Sequence, residues 1–338
     1  MAREIGPRAG EWTAVTDHTR WEADSQSTLH ASTPAGHITS AANLDFPRQA
    51  YIRFSKPRDQ SSGNRLMAKL RTIAVLTKEN NRNAEEVALR FVEAMVKSGF
   101  EIVAVEPLSI PSIRQVSEDK APKEKVDAVI AVGGDGTVLR ALRTFDNATP
   151  LLAVNAGGRG ILAEAKPEQL EEVVDRLLTE NFYLEKRLKL TATISGHSYP
   201  PAANDVYITR ATKIRTPMYS VMREKTKLFE QRMDGVIIAT PTGSTGHSLS
   251  AGGPVVSSDL DALLVTPTCP ILRLPPIVIP TGEIEVVANE PTELVIDGQK
   301  VFPVPQETPI IVGKHLAPAV FIRFEQMPLR QLFNLGYS

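Results

Sequence analysis

The chain has 338 residues, and its 38 Lys and Arg residues nearly balance its 39 Asp and Glu residues, giving a net charge of −1. This balance excludes a chain-wide basic surface for nucleic acid, although it leaves room for a local cationic cleft. With 42% apolar residues, one cysteine and no apolar run of the ~18–20 residues that a membrane span needs, the sequence predicts a cytoplasmic globular protein of about two domains.

Residues 1–66 differ from the rest because they contain few Leu, Ile and Val residues and show neither helical nor strand periodicity. Such a segment buries too little apolar surface to offset its loss of conformational entropy. Two interpretations remain open. The segment is either a disordered or docking extension, or an upstream stretch that precedes a physiological start at Met67.

Between residues 67 and 183, short apolar runs alternate with helical patterns. The runs predict strands at Ile73–Leu76, Phe100–Val105, Val126–Val132 and Pro150–Val154, and the periodicity predicts helices at Ala84–Lys97 and Pro167–Leu178. Strands that alternate with helices are typical of a parallel sheet, so 67–183 is predicted to be an α/β domain.

From about Tyr183 the pattern changes to short strands separated by Pro and Gly. It predicts an all-β sandwich of two packed sheets over 184–315, followed by a C-terminal segment 316–338 that contains a last strand at Ala317–Phe324. The predicted strands of the sandwich are Leu188–Ile194, Ala203–Thr209, Met218–Arg223, Gly235–Thr240, Ile277–Ile279, Glu283–Val287, Glu293–Ile296 and Ile310–Val312.

The sequence Gly-Gly-Asp-Gly-Thr at 133–137 directly follows the third predicted strand. Glycines at the carboxyl end of a parallel strand let the backbone approach a phosphate, and the following helix N-terminus favours an anion. Asp135 would repel a phosphate, but it could accept a proton from an attacking hydroxyl or help hold a metal. The alternative is that Asp135 only caps the helix. Neither the P-loop pattern nor Gly-x-Gly-x-x-Gly is present.

A second glycine-rich segment, 234–253, carries many hydroxyl groups and includes His247. Hydroxyls and backbone amides suit sugar and phosphate oxygens, so we expect ligand contact here, with a polar linker as the alternative. The hydroxyl-bearing residues are Thr240, Thr242, Ser244, Thr245, Ser248 and Ser250.

Three shorter motifs have both a binding and a structural interpretation. Asn204-Asp205 could grip a ribose diol or form a side-chain-capped turn. The sequence Asp-Gly-Gln at 297–299 fits an ordinary hairpin turn. The loop 155–160 follows the fourth strand, so we expect it near the 133–137 loop. Arg159 in that loop could reach a phosphate or point to solvent.

Together these segments resemble the NAD kinase family, which phosphorylates NAD to NADP with ATP. The resemblance covers about residues 69–330 and depends most on 133–137, on Thr-Pro-Thr-Gly-Ser-Thr at 240–245 and on Ser-Ala-Gly-Gly-Pro at 250–254. Diacylglycerol and sphingosine lipid kinases share the first motif, so a lipid kinase is one alternative. A non-catalytic NAD-binding sensor, which would not need Asp135, is another.

The resemblance implies an N-terminal α/β domain, a C-terminal β-sandwich, a substrate between them and a last segment that returns to the first domain. It implies a homodimer or homotetramer that binds NAD and ATP (or polyphosphate), with Mg²⁺ or another divalent cation, and has neither nucleic acid nor membrane as a partner. Asp135 is then the base that activates the 2′-hydroxyl of the adenosine ribose of NAD, and no protein metal ligand is implied.

The nucleotide-binding residues that follow from the resemblance are spread over all these motifs. They are Gly134, Gly136, Thr137, Arg140, Asn155, Arg159, Arg187, Asn204, Asp205, Asp234, Thr242, Thr245, Gly246, His247, Ser250 and Asp297. In one departure, Gly246-His247 stands where the family usually has Ala-Tyr, which bears on substrate affinity more than on reaction type. In another, 270–278 lacks the usual His and Ser.

Overall fold

The computed structural model describes residues 70–158, 160–327 and 330. The expected extension at 1–66 and the expected contacts of Arg159 lie outside these described residues. The helices in this part of the chain are α1 (Arg82–Lys97), α2 (Asp135–Thr144), α3 (Leu170–Leu178) and α4 (His247–Ser250).

The strands fall into an N-terminal and a C-terminal group. The first six are β1 (Thr72–Thr77), β2 (Glu101–Val105), β3 (Arg114–Val116), β4 (Ala128–Gly133), β5 (Leu151–Asn155) and β6 (Tyr183–Arg187). The others are β7 (Leu190–Ile194), β8 (His197–Ser198), β9 (Asp205–Arg210), β10 (Met218–Arg223), β11 (Thr226–Arg232), β12 (Gly235–Ala239), β13 (Ala262–Thr268), β14 (Ile277–Pro280), β15 (Ile284–Ala288), β16 (Thr292–Ile296), β17 (Lys300–Val304), β18 (Ile310–Lys314) and β19 (Ala319–Arg323).

The N-terminal strands form a seven-stranded sheet in the order β3-β2-β1-β4-β5-β19-β6. Its strands run parallel except for β6, which is antiparallel to β19. Apolar side chains of α1 and α3 pack on one face and those of α2 pack on the other. The predicted α/β fold is confirmed, and so is the return of the C-terminal segment, because β19 lies between β5 and β6.

The remaining strands form two antiparallel six-stranded sheets, in the orders β11-β10-β15-β18-β7-β8 and β14-β13-β12-β9-β16-β17. Side chains alternate between buried and half-buried along β7, β15 and β16, as strands with only one covered face require. The buried side chains of both sheets, such as Tyr219 and Val236, share one core. The predicted β-sandwich is confirmed.

Details of the elements differ from the expectations. Helix α1 begins two residues early because the side chain of Asn81 accepts a hydrogen bond from the Ala84 amide at 2.8 Å. The strands β3, β6, β8, β11, β13 and β17 were not predicted. Pro267 lies inside β13, and a proline weighs against a strand because it cannot donate to the ladder. Strand β6 reads Tyr-Leu-Glu-Lys-Arg and is too polar to stand out.

Candidate active site

The glycine loop lies where β4 gives way to α2. Gly134 is the N-cap of α2 and Asp135 is its first residue, so the alternative in which Asp135 caps the helix is wrong. A side chain on Gly133 would place its Cβ 2.3 Å from the Thr137 hydroxyl, whereas a Cβ on Gly134 would meet no atom within 4 Å. The backbone at Gly134 is therefore open to a ligand at a helix N-terminus, which favours anions.

The carboxylate of Asp135 accepts hydrogen bonds from two backbone amides of the loop after β5. The Ile161 amide donates to Oδ2 at 3.1 Å and the Leu162 amide donates to Oδ1 at 2.9 Å. Because each carboxylate oxygen has two lone pairs, both remain able to accept a further hydrogen bond from a substrate. The two hydrogen bonds fix the direction of the carboxylate and leave acceptor positions on both of its oxygens.

The loop after β5 lies beside the glycine loop, as expected. Asn155 is the register partner of Gly133, and the Ala156 amide donates to the Gly133 carbonyl at 3.1 Å. The Asn155 side chain accepts from the Gly157 amide at 3.1 Å and donates to the Gly158 carbonyl at 2.9 Å. Its amide therefore shapes its own loop, and the predicted nucleotide contact of Asn155 stays a prediction.

A cleft of about 460 Å³ opens beside the glycine loop, and its charged side chains are four basic and two acidic. Arg140, one of the predicted residues, is anchored at this cleft by Glu79 at 2.5 Å and by the Thr77 carbonyl at 2.7 Å. The excess of positive charge suits a polyanion. The cleft is lined by Lys78, Glu79, Glu118, Gly134, Gly136, Thr137, Arg140, Arg143, Gln299 and Lys300.

Gln299 connects the β-sandwich to this cleft. Its side-chain amide donates to the Gly136 carbonyl at 2.9 Å and its carbonyl accepts from Arg143 at 2.8 Å. The turn between β16 and β17 thus lies on the first turns of α2. The sequence drew attention to this turn but assigned a role only to Asp297, because nothing in it signals that Gln299 reaches another domain.

Asp297 shapes the start of β9. Its carboxylate accepts from the backbone amides of Ala203 at 3.0 Å, Asn204 at 2.8 Å and Asp205 at 3.1 Å. Burial raises its pKa, while these three amides and nearby Arg143 oppose that rise. The residue is therefore a structural support for the Asn204-Asp205 segment, which was predicted to bind ribose.

Asn204 is half-buried and Asp205 is buried, and one side-chain atom of the pair is left without a partner. The Asn204 Oδ1 atom finds no hydrogen-bond partner among the described residues. Asp205 is 4% exposed, and burial together with the charge of Asp297 raises its pKa to about 7. Buried polar atoms are normally satisfied, so an unsatisfied amide oxygen beside a buried acid marks a place where a polar ligand would fit.

The hydroxyl-rich segment divides into internal and available groups. The hydroxyls of Thr240, Ser244 and Ser248 bond within the protein, to the Ala203 carbonyl, the Pro241 carbonyl and the Thr266 hydroxyl. Thr242 is buried, and the half-buried Thr245 donates to the Thr242 carbonyl at 3.3 Å. His247 and Ser250 are exposed.

Gly246 lies next to Asn204 and Asp205. A Cβ built on Gly246 would be 3.6 Å from Asn204 Nδ2 and 3.9 Å from Asp205 Oδ2. Beside it, the His247 ring meets the Tyr207 ring edge to face, with centroids 4.8 Å apart. Burial lowers the pKa of His247, which favours the uncharged ring that stacking uses.

Asp234 and Arg187 make their contacts with other parts of the chain. Asp234 precedes β12 and pairs with Arg210 at 3.3 Å, at the opposite end of β9 from Asp205. Arg187 is buried against Glu185 at 3.1 Å, and its guanidinium lies over the Phe321 ring. None of these contacts involves Asp135, Asn204 or Asp205, and the nucleotide contacts of Asp234 and Arg187 stay predictions.

A parallel α/β sheet with an acidic glycine loop, joined across a cationic cleft to a β-sandwich, is the arrangement of a two-domain nucleotide-dependent phosphotransferase. Comparisons with known proteins give the family. The model of the ATP-NAD kinase N-terminal domain matches residues 73–182, and that of the ATP-NAD kinase C-terminal domain matches residues 203–324. The NAD kinase of Thermococcus sibiricus is 35% identical over 260 residues, covering 75% of this chain and 94% of that protein.

Solved structures agree with this result. An Archaeoglobus fulgidus NAD kinase in complex with ATP has a TM-score of 0.64 at 28% identity, covering 79% of this chain and 97% of that chain. The fold is also that of yeast NADH kinase complexed with NADH, with a TM-score of 0.72 at 21% identity over 80% of this chain and 87% of that one.

The chain therefore belongs to the ATP-NAD kinase family. Its relatives are enzymes that phosphorylate NAD with ATP, and the comparisons support neither the lipid kinase nor the non-catalytic sensor. None of the helices among the described residues is long and apolar enough to cross a membrane.

We expect Asp205→Asn to stabilise the protein at pH 8. The folded-state pKa of about 7 exceeds the ~3.9 of an unfolded aspartate, so the unfolded state ionises more easily and the folded state loses stability as pH rises between these values. The asparagine variant should gain on the order of a few kcal/mol at pH 8 and much less at pH 5. Urea unfolding at both pH values measures this difference.

The matched control for that change is Asp259→Asn, because Asp259 is exposed and its substitution should alter stability little at either pH. An Asp205→Asn variant that is less stable than the wild type at pH 8, or that gains equally at both pH values, would contradict the expectation.

We expect Gly243→Ala to destabilise the fold strongly. Its Cβ would lie 2.1 Å from the Asn204 carbonyl oxygen, a backbone atom that cannot move aside cheaply. The cost should reach about 1–3 kcal/mol or more, as overpacking does. Gly134→Ala is the control, because open space surrounds that position. Equal urea midpoints for the two alanine variants would show that the close approach at Gly243 is not a constraint.

Proposed function

We propose that this chain transfers the γ-phosphate of ATP to the 2′-hydroxyl of the adenosine ribose of NAD, with Asp135 as the general base. The observation that carries this assignment is the Asp135 carboxylate at the first turn of α2, which two amides fix beside a cationic cleft. Beside this carboxylate lies the cleft in which we propose that the phosphates bind. The hydrogen bond from Gln299 to the Gly136 carbonyl connects the same helix to the β-sandwich, which carries the residues proposed to bind ribose.

The donor phosphates are proposed to lie in the cleft, against the open backbone of Gly134 and beside Gly136. Lys78, Arg143 and Lys300 would add charge neutralisation there, which together with positioning does most of the work in phosphoryl transfer. Mg²⁺ or a similar divalent cation is proposed to enter as part of the ATP substrate. The ATP in the Archaeoglobus relative supports a donor site in this fold.

The acceptor is proposed to bind against Asn204 and Asp205. A ribose hydroxyl would satisfy the orphaned Asn204 Oδ1 atom, and ionised Asp205 would accept from a second hydroxyl. Thr242, Thr245, Gly246, His247 and Ser250 are proposed to line the dinucleotide. The NADH in the yeast structure supports a dinucleotide site in the same fold.

In the proposed reaction, the 2′-oxygen of the ribose forms a bond to the γ-phosphorus as the bond from that phosphorus to the β–γ bridging oxygen breaks. The 2′-hydroxyl proton passes to the Asp135 carboxylate, and ADP leaves. The amides of Ile161 and Leu162 keep the carboxylate directed while it takes the proton.

The assembly, the compartment and the domain limits also belong to the proposal. We propose a homodimer or homotetramer, supported by the strongly exposed apolar side chains of Ile271 and Leu272, which mass determination in solution would test. A cytoplasmic location suits the free and exposed thiol of Cys269. We propose a domain division near residue 183, with β6 and β19 completing the α/β sheet.

We expect Asp135→Asn to lower kcat by about 10²–10⁴-fold, because an amide cannot take the proton of the attacking hydroxyl. The assay incubates the purified chain with MgATP and NAD and measures NADP through glucose-6-phosphate dehydrogenase. The fold should stay intact by circular dichroism, and Asp259→Asn is the control with unchanged turnover. A nearly unchanged turnover in Asp135→Asn would exclude a base at this position.

We expect His247→Tyr to lower the KM for NAD by about two- to tenfold, because a larger ring offers a larger stacking face. The change leaves the carboxylate and the cleft untouched, so kcat should stay within about twofold. Initial rates over a range of NAD concentrations at saturating ATP measure both constants. An unchanged KM together with a lower kcat would refute this role of residue 247.

A further inference from the structure

We propose that Arg323, from the last strand of the chain, is a positioning residue for the catalytic base. It holds Leu162, and Leu162 holds Asp135. This inference rests on the proposed role of Asp135 and assigns a function to a residue that no motif marks.

The connection consists of two consecutive hydrogen bonds. The Arg323 guanidinium donates through Nη1 to the Leu162 carbonyl at 3.1 Å, and the Leu162 amide donates to Asp135 Oδ1 at 2.9 Å. Both bonds involve the same loop residue, whose side chain is also buried. Strand β19 thereby fixes the position of an amide that fixes the carboxylate.

Arg323 is fully buried, with 0% exposure, and it holds this loop together with two glutamates. Its Nε donates to Glu185 at 2.7 Å, and the same Nη1 that reaches Leu162 also reaches Glu164 at 3.2 Å. Its Nη2 finds no partner among the described residues. The Phe321 ring covers the guanidinium at 4.5 Å from the centroid. The planar, rigid fork of donors reaches three acceptors at once, which a lysine ammonium on a flexible stem would not reproduce.

A purely structural explanation accounts poorly for this choice of residue. Buried ion pairs add little net stability, because the loss of hydration offsets most of their attraction. What a buried arginine does supply is a fixed geometry for the groups that it contacts. Here those groups include the carbonyl of the loop residue that directs the Asp135 carboxylate.

The neighbouring Arg330 offers a matched control. It pairs with the same Glu164 oxygen at 2.7 Å, and it also donates to the Glu325 carbonyl at 2.7 Å. Arg330→Met therefore removes a cation from the same network without removing the hydrogen bond to Leu162. Its kcat should remain within about twofold of the wild type.

The test is a double-mutant cycle between Arg323→Met and Asp135→Asn in the full chain, read as kcat for NADP formation. In the wild-type background, Arg323→Met should lower kcat by about 10–100-fold, as a small misplacement of a reacting group does, with both KM values within about threefold. In the Asp135→Asn background, the same change should alter the residual kcat by less than about twofold, because the group that Arg323 positions is already lost.

Each outcome decides a separate point. Independent, multiplying losses in an active enzyme would overturn the positioning role and leave the proposed function standing. A wild-type chain that forms no NADP from MgATP and NAD would overturn the proposed function and this inference with it. If Arg323→Met fails to fold by circular dichroism, Arg323→Lys, which keeps a charge for the two glutamates, takes its place in the cycle. Arg323→Lys should lower kcat in the wild-type background and alter the residual kcat by less than about twofold in the Asp135→Asn background.

Discussion

The contact between the Asp135 carboxylate and the amides of Ile161 and Leu162 links the main features of the α/β domain. It needs β4 and β5 side by side and parallel, so that the loops at their carboxyl ends meet. It needs α2 to begin directly after Gly134, and it needs a further contact that keeps the loop after β5 in place. Insertion of β19 next to β5 supplies this last condition through Arg323.

Charge is distributed in the opposite sense on the two sides of the glycine loop. The cleft at the N-terminus of α2 has an excess of basic side chains, whereas the start of β9 brings Asp205 and Asp297 together with little solvent. A near-zero net charge is therefore compatible with a polyanionic substrate. The buried carboxyl of Asp205 lowers stability as pH rises from ~3.9 to about 7, and beside it the Asn204 Oδ1 atom finds no partner among the described residues. In the proposed function, stability is given up where an acceptor for the substrate hydroxyls is needed.

The sequence predicted the architecture well, because buried strands and amphipathic helices leave strong periodic patterns. It also drew attention to the glycine loop and the Asn204-Asp205 pair, although each of them had a purely structural interpretation as well. It could not predict Gln299 or Arg323 as parts of the site. Both act across more than a hundred and fifty residues of chain, and their local patterns are those of a hairpin turn and an apolar strand. Likewise, nothing local distinguishes the hydroxyl of Thr240, which donates to the Ala203 carbonyl, from that of the exposed Ser250.

The turn between β16 and β17 connects the two parts of the proposed site. Asp297 directs three amides at the start of β9 and so sets the position of Asn204 and Asp205. Two residues later, Gln299 bonds the Gly136 carbonyl in the first turn of α2. One short turn thus contacts both the segment proposed to bind the acceptor and the helix that carries the proposed base. In-line transfer demands such alignment, because the reacting oxygen and phosphorus must approach within a narrow range of distance and direction. A rigid turn with two anchored ends meets that demand better than a hinge would.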